Sequence, residues 1–476
     1  MILFLALLLI LATFSTKLAA PLGIPGLIVF LGLGMIFGSG GFNLIDFNDP
    51  IMAQQIAIAA LIIILFEGGF NTKRSLLKIA VGPSFSLATI GVIITAVTLG
   101  LTSHWVLGLS LPYALLVGSI ISSTDAAAVF ALFRNKNIQP KTAATLEIES
   151  AANDPMAIIL TVIMIDYIQG ALTEPQLFLG NLIWQIVAGV AIGYLIGRIG
   201  PFLLNKVKLE TAGFYYVLAI GLCFLSYGLA DQIHGNGFLA VFVTGICLGN
   251  IEFIYKQGIA RFIEGTANTS HVLLFLMLGL LVQPQEIFTF WRQGVVISLL
   301  MIFIARPVAV YLCTAFWPYT MKEKIFLCWG GIKGAVPIVL GTFPLVAGIE
   351  QGQPIFNVVF FAVLLSALLQ GATMDIAAKK LGLLAGKKKR PLHSLELVSL
   401  AESQCELVEF EVPPESYLAG KKLEELALPE SSLVTAIVRQ QDIVTPRGNT
   451  ELLPRDLLYV LVRYEDKEEL LTLLQL

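Results

Sequence analysis

The sequence predicts a polytopic α-helical membrane protein of about 13 transmembrane helices, followed by a small cytoplasmic α+β domain. Three observations lead there. The 476-residue chain is 57% hydrophobic and only 13% charged, with a mean hydropathy of +0.83, whereas a soluble domain carries about 25% charged residues. Apolar stretches long enough to cross a hydrocarbon core, about 20 residues each, recur along most of its length. The charge is also split: through Leu400 there are 23 Lys and Arg against 18 Asp and Glu, and from Ala401 onward 7 against 15. A basic-edged membrane part is joined to an acidic soluble part.

Thirteen spans are expected, at 2–18, 21–41, 52–71, 79–102, 112–133, 143–167, 176–198, 212–231, 236–254, 265–283, 293–316, 323–345 and 354–377. The first run, MILFLALLLILATF, lacks a basic leader and reads as a retained span. Basic residues fall in alternate connections: Lys17; Lys73, Arg74 and Lys78; Arg134, Lys136 and Lys141; Arg198, Lys206 and Lys208; Lys256 and Arg261; Lys322 and Lys324; and six between Lys379 and Arg390. The intervening connections hold Asp46, Asp49, Glu174, Asp231, Glu286 and Glu350, with Arg292 the only base. Twenty of the 23 bases therefore lie on one side, which by the positive-inside rule puts the N-terminus outside and the C-terminus in the cytoplasm. The five cysteines have no CxxC spacing, four lie in expected spans, and they imply neither a disulfide framework nor a metal site.

The tail changes character. CELVEFEVP alternates as a strand, YLAGKKLEELAL reads as a short helix, and SSLVTAIVRQ as a second strand. DIVTPRGNTELLPRDLLYVLVR follows with a turn at 446–449, and KEELLTLLQL closes as a helix. The expected organisation is a membrane domain over 1–380, a basic linker over 381–402 and a soluble module over 403–476. The GKKKR run is the last positive-inside anchor.

Within the spans, charge is scarce and placed. Arg306 and Lys333 are the embedded cations; Glu67, Asp125, Glu149 and Asp154 are the embedded acids, with Asp166 near a span end. Each costs at least ~2.5–3.5 kcal/mol at mid-bilayer, so such groups mark partners, pathways or proton relays. Two spans also look interrupted. GSIISSTDAAAVF sets Ser122, Ser123, Thr124 and Asp125 in the fifth, where side chains compete for backbone hydrogen bonds. WGGIKGAVPIVLG sets three glycines and Pro337 around Lys333 in the twelfth. These breaks correspond if spans 1–6 and 8–13 are inverted repeats, and paired breaks point to an ion site.

LEIESAANDPMAIIL (146–160) admits two readings. Asn-Asp-Pro is a helix-start signal, with Asp154 as the cap and Pro155 at the first helical position. Alternatively it is one helix, on which Ser150 and Asp154 share a face and Glu149 and Asn153 the adjoining one. Its surroundings favour the second. Asp154, Asp125, Ser150 and the Thr124 carbonyl then make an all-oxygen site for a dehydrated alkali cation, and one carboxylate that holds either a proton or that cation gives exchange.

FEGGF (66–70), SSTDAAAV (122–129), LEIESAANDP (146–155), FIARP (303–307) and GGIKGAVP (330–337) occur in this order. With them, residues 1–380 resemble the NhaP-type cation/proton antiporters of the monovalent cation:proton antiporter-1 family, including bacterial members described as potassium/proton antiporters. The resemblance implies that Thr124 and Asp125 lie at an unwound helix centre, that Asp154 carries the exchanged ion, and that Asn153 holds the site together. It implies that Glu149 pairs with Arg306 and that Glu67 faces Lys333, where many relatives have arginine. Asn153 in place of a second aspartate resembles the electroneutral branch, one proton per cation. The tail resembles the TrkA-C subdomain of regulators of potassium conductance, a module that dimerises and senses small ligands including nucleotides; no phosphate-binding glycine loop is present.

The expected function is secondary active exchange of K⁺ or Na⁺ for H⁺ across a bacterial inner membrane by a homodimer, with no cofactor, no nucleic acid and no enzymatic activity. The alternative from another class is a cation channel gated by the tail, but a carbonyl filter such as TVGYG is absent. An intramembrane hydrolase using Asp125 and Asp154 leaves Lys333 and Arg306 without a role, and a primary pump lacks its GxxxxGK[ST] loop. His104, His234, His271 and His393 show no ligand spacing; of these only His271 suggests a part, in pH sensing.

Overall fold

A computed structural model describes residues 2–19, 26–45, 47, 49–72, 74–125, 139–171, 175–207, 209–283, 285, 289–384, 405–413, 416–426, 428–439, 442–466 and 469–470. Asp46, Lys73, Arg134, Lys136, Glu174, Lys208, Glu286, the run at 387–390, His393 and the second half of SSTDAAAV lie outside the described residues, as do most of the linker and of the closing tail helix. The chain divides into two units, Met1–Lys388 and Lys389–Leu476.

In the first unit every expected span falls on a helix or on half of one. The helices are α1 (Ile2–Ala19), α2 (Gly26–Phe37), α3 (Pro50–Asn71), α4 (74–107), α5 (Leu111–Ile121), α6 (Pro140–Ile168) and α7 (Pro175–Lys206). There follow α8 (Ala212–Gln232), α9 (Gly237–Gly249), α10 (Lys256–Leu281), α11 (Trp291–Cys313), α12 (Met321–Trp329), α13 (Ala335–Val346) and α14 (Gly352–Leu381). Among the described residues, seven are long and apolar enough to cross a membrane unaided: α3, α4, α6, α7, α8, α11 and α14. Shorter apolar helices include α2, α5, α9 and α13. The shortness of α5, α12 and α13 follows from their breaks.

Local chemistry explains the irregularities. Asp49 caps α3 by accepting from Ile51 and Met52 N–H, with Pro50 at the first position. Thr320 and Glu323 form a capping box at the start of α12. A π-turn at Met301–Ala305 precedes Arg306–Pro307 in α11, where the proline ring lacks the N–H that would continue the helix. Asp154 is no helix cap: it lies in the middle of α6, with Pro155 inside the same helix.

The helices pack mainly in two sets. α3 lies between α9 and α10, α2 packs on α10, and α7 and α8 pack on α9. In the other set α4 runs beside α5 and α6, and α11, α12 and α13 pack around α14. Close backbone approach holds the first set, since a Cβ on Gly245 would stand 2.6 Å from the Phe66 carbonyl of α3. Small residues serve this way where lipid offers no hydrophobic drive. α13 touches both sets, meeting α3 and α10 as well as α5 and α6.

The second unit is an antiparallel sheet ordered β1-β4-β2-β3, with β1 Cys405–Glu411, β2 Leu433–Arg439, β3 Asp442–Val444 and β4 Leu457–Arg463. β4 is central and nearly all buried: Leu458, Val460 and Val462 join the main core, while Tyr459 packs with Val438 on the other face. Arg439 clamps Asp456 through Nε–Oδ1 at 2.9 Å and Nη2–Oδ2 at 2.8 Å, and that hydrogen bonding holds the guanidinium above its ordinary value. The expected helix over YLAGKKLEELAL is not formed. Gly420 has a φ of +85°, and N–H groups a helix would use internally reach the 448–452 loop instead, Gly420 to Leu452 O at 2.7 Å and Glu424 to Gly448 O at 2.9 Å. Only a 3₁₀ turn remains, at Leu423–Glu425.

Candidate functional site

α5 stops at Ile121, and Ser122–Asp125 continue without regular structure. The carbonyls at that helix end would be orphans. Lys333, fully buried, supplies the donor: its Nζ lies 2.7 Å from Ser123 O and 3.3 Å from Ser122 O. A cation at a helix C-terminus also meets the negative end of its dipole. The two unwound segments are tied directly, Asp125 N donating to Ile332 O at 2.8 Å. α14 completes the support: Ser366 Oγ accepts from Lys333 N at 3.3 Å, and Gln370 Nε2 donates to Trp329 O at 3.0 Å. Irregular backbone at this depth persists because protein groups satisfy it.

α6 crosses beside the break. Asn153, buried, donates from Nδ2 to Thr124 Oγ1 at 2.6 Å and accepts from Thr124 N at 3.4 Å. Ser150 Oγ shares a hydrogen bond of 2.7 Å with Thr124 Oγ1. Both residues therefore stand behind Thr124 and do not line the cavity in front of it. One turn away the acids differ sharply. Glu149 is gripped by Arg306 through both carboxylate oxygens, Nη2–Oε2 at 3.0 Å and Nη1 to Oε1, while Nη2 also meets Leu327 O at 3.0 Å. Among the described residues, Asp154 Oδ1 and Ser123 Oγ are buried without a hydrogen-bond partner.

Those two orphaned oxygens line one small cavity of about 30 Å³. Thr124 and Asp125 line it too, with Leu61 and Ile64 of α3, the first turn of α13, and His271 of α10. One Asp154 oxygen and a hydroxyl without partners among the described residues, with a second carboxylate beside them, suit a dehydrated monovalent cation or a proton. The volume has no room for a full hydration shell. Among the described residues no cluster of His, Cys, Asp and Glu has the form of a transition-metal centre.

The expected contact between Glu67 and Lys333 is not made. Lys333 spends its charge on the Ser122 and Ser123 carbonyls, which its ammonium reaches directly. Glu67 instead accepts a hydrogen bond from Asn71 one turn along its own helix, and the nearby charge is Glu264 of α10. His271, for which the sequence suggests only a part in pH sensing, is in the cavity wall. Its Nδ1 lies 3.0 Å from Ala267 O and its ring stacks on Phe275. A polar ring in the middle of SHVLLFLML was the available signal.

Residues 5–380 match the family described as sodium/hydrogen exchanger, transmembrane, and residues 407–475 match the TrkA-C domain. Among curated proteins the chain is similar to a protein named K(+)/H(+) antiporter NhaP of Alkalimonas amylolytica, 36% identical over 99% of this chain and 83% of the relative. It is likewise similar to K(+)/H(+) antiporter NhaP2 of Shewanella sp. (strain ANA-3), 34% identical over 98% and 81%. Among solved structures it is similar to the sodium proton antiporter MjNhaP1 from Methanocaldococcus jannaschii at pH 8, with a TM-score of 0.71 and 26% identity over 80% of this chain and 98% of that one.

Proposed function

Because the chain belongs to the transmembrane sodium/hydrogen exchanger family and carries a TrkA-C domain at its end, we propose that it is a secondary antiporter exchanging a monovalent cation for H⁺ at Asp154. The supporting observation is the buried, unpartnered Asp154 Oδ1 in a cavity shared with Asp125, Ser123 and Thr124. Asp154 takes a proton or a cation but not both. Asp125 adds the second negative charge that binding a dehydrated cation requires, and the Ser123 and Thr124 oxygens complete the shell. Asn153 and Ser150 hold Thr124 in place; Glu149 and Arg306 neutralise each other and join α6 to α11.

One carboxylate that trades one proton for one monovalent cation moves no net charge, so exchange is electroneutral, one for one. K⁺ is the preferred cation, a choice supported by the printed names of the relatives and by the TrkA-C tail. The protein works as a homodimer in a bacterial inner membrane, N-terminus outside and tail in the cytoplasm, where a small ligand such as a nucleotide regulates it. No cofactor takes part.

Purified protein in proteoliposomes tests this. Internal pH is followed while K⁺, Na⁺ or Li⁺ is added, with the membrane potential clamped or free. The expected result is cation-driven proton flux, strongest with K⁺ and indifferent to the potential. Cation flux without coupled proton movement would support the gated-channel alternative and contradict the proposal.

A further inference from the structure

The stretch between α12 and α13 contains three glycines, and a side chain at each would strike a different neighbour. A Cβ on Gly330 would stand 2.8 Å from Leu146 Cδ2, and one on Gly331 would stand 2.6 Å from Arg306 Nε. One on Gly334 would overlap the Asp125 carboxylate. Gly334 has a φ of −122°, outside the left-handed region that favours glycine, and the overlap shows that the position requires room. Asp125 fills that room.

The neighbour is chemically apt. Gly334 is the cap residue of α13, a helix of 12 residues. The first N–H groups of a helix have no partner within it, and the positive end of the dipole favours an anion there. Pro337, in the first turn, has no N–H to leave unpaired. The overlap would also reach Asp125 Cβ, 2.5 Å from the added atom, so a change of rotamer alone cannot clear it. Asp125 would have to retreat as a whole, against the hydrogen bond from its own N–H to Ile332 O.

We propose that Gly334 is a positioning residue for the exchange reaction: its missing side chain is the space in which the Asp125 carboxylate seats at the start of α13 and joins Asp154 in one cavity. The inference rests on the assignment of Asp154 and Asp125 to the exchange site. Filling the space pushes a negative charge away from the bound cation. Cation affinity should fall while turnover at saturating cation survives.

The test compares Gly334→Ala with the unaltered protein in the proteoliposome assay, with Gly331→Ala as a steric control. The expected result for Gly334→Ala is a cation half-saturation raised about tenfold and a maximal rate within about twofold. Gly331→Ala, which presses on Arg306, should lower the thermal midpoint and leave half-saturation unchanged. A folded Gly334→Ala protein with unaltered half-saturation would overturn the inference alone. If that variant does not fold, Asp125→Gly is added to it: recovery of a folded protein shows that Asp125 owns the space, and failure to recover overturns the inference. No exchange by the unaltered protein would overturn the functional assignment itself, and the inference with it.

Discussion

Asp154 and Glu149 sit five residues apart on one helix and have opposite circumstances. Both Glu149 oxygens are taken by Arg306, whereas Asp154 Oδ1 has no hydrogen-bond partner among the described residues. Residues five apart on a helix point about 140° away from each other, so this separation of duties was legible in LEIESAANDPMAIIL. Depth within the helix was not, because Asn-Asp-Pro reads equally as a cap. Spacing also could not show that Ser150 and Asn153 both turn to Thr124, since a face has no partner until the fifth span breaks beside it. Two outcomes belong at this scale. Glu149→Ala strands a buried guanidinium and should cost about 3–5 kcal/mol, seen as a lowered unfolding midpoint in detergent with cation half-saturation intact; a stable protein with weakened affinity would make Glu149 a ligand. Asn153→Ala should instead raise half-saturation about tenfold, as two buried hydrogen bonds to Thr124 are lost, and an unchanged value would remove Asn153 from the site's support.

The two broken crossings act as one element. Lys333 satisfies the carbonyl end of α5, Asp125 ties back to Ile332, and α14 supports the second break through Ser366 and Gln370. Both breaks were readable, because Ser-Ser-Thr-Asp and Gly-Gly-x-x-Gly are poor helix formers in an apolar setting. The partner of Lys333 was not. An embedded cation suggests an embedded acid, and Glu67 was available, but crossing segments bring backbone carbonyls nearer than any carboxylate. The same limit applies to YLAGKKLEELAL, whose composition suits a helix until the 448–452 loop takes its N–H groups. Lys333→Met should therefore destabilise the membrane unit by about 1–3 kcal/mol and suppress exchange. Thermal unfolding alongside flux measures both, and normal stability would mean that the Ser122 and Ser123 carbonyls find other donors.

For the whole molecule, the number of spans was legible because hydropathy and charge alternation are properties of the chain itself. Which helices associate was not, since lipid-facing and helix-facing surfaces are equally apolar and packing turns on small residues such as Gly245. The cavity draws on both sets of helices: Asp154 and Asp125 come from one, His271, Leu61 and Ile64 from the other. A boundary that opens to alternate sides would carry the bound ion across. The membrane unit should suffice for this, as Asp125, Asp154, His271 and Lys333 all lie within it. A chain ending at Leu384 is expected to fold and exchange. A truncated protein that folds but does not transport would place the tail within the exchange cycle.

The central claim is that one carboxylate, Asp154, holds either the proton or the cation. The most direct measurement is cation half-saturation in proteoliposomes as a function of pH, for the unaltered protein and for Asp154→Asn. Competition requires half-saturation to rise steadily as pH falls, with the maximal rate at saturating cation preserved, and it requires the folded Asp154→Asn protein to exchange nothing. Half-saturation independent of pH, or sustained cation-driven proton flux in Asp154→Asn, would contradict it.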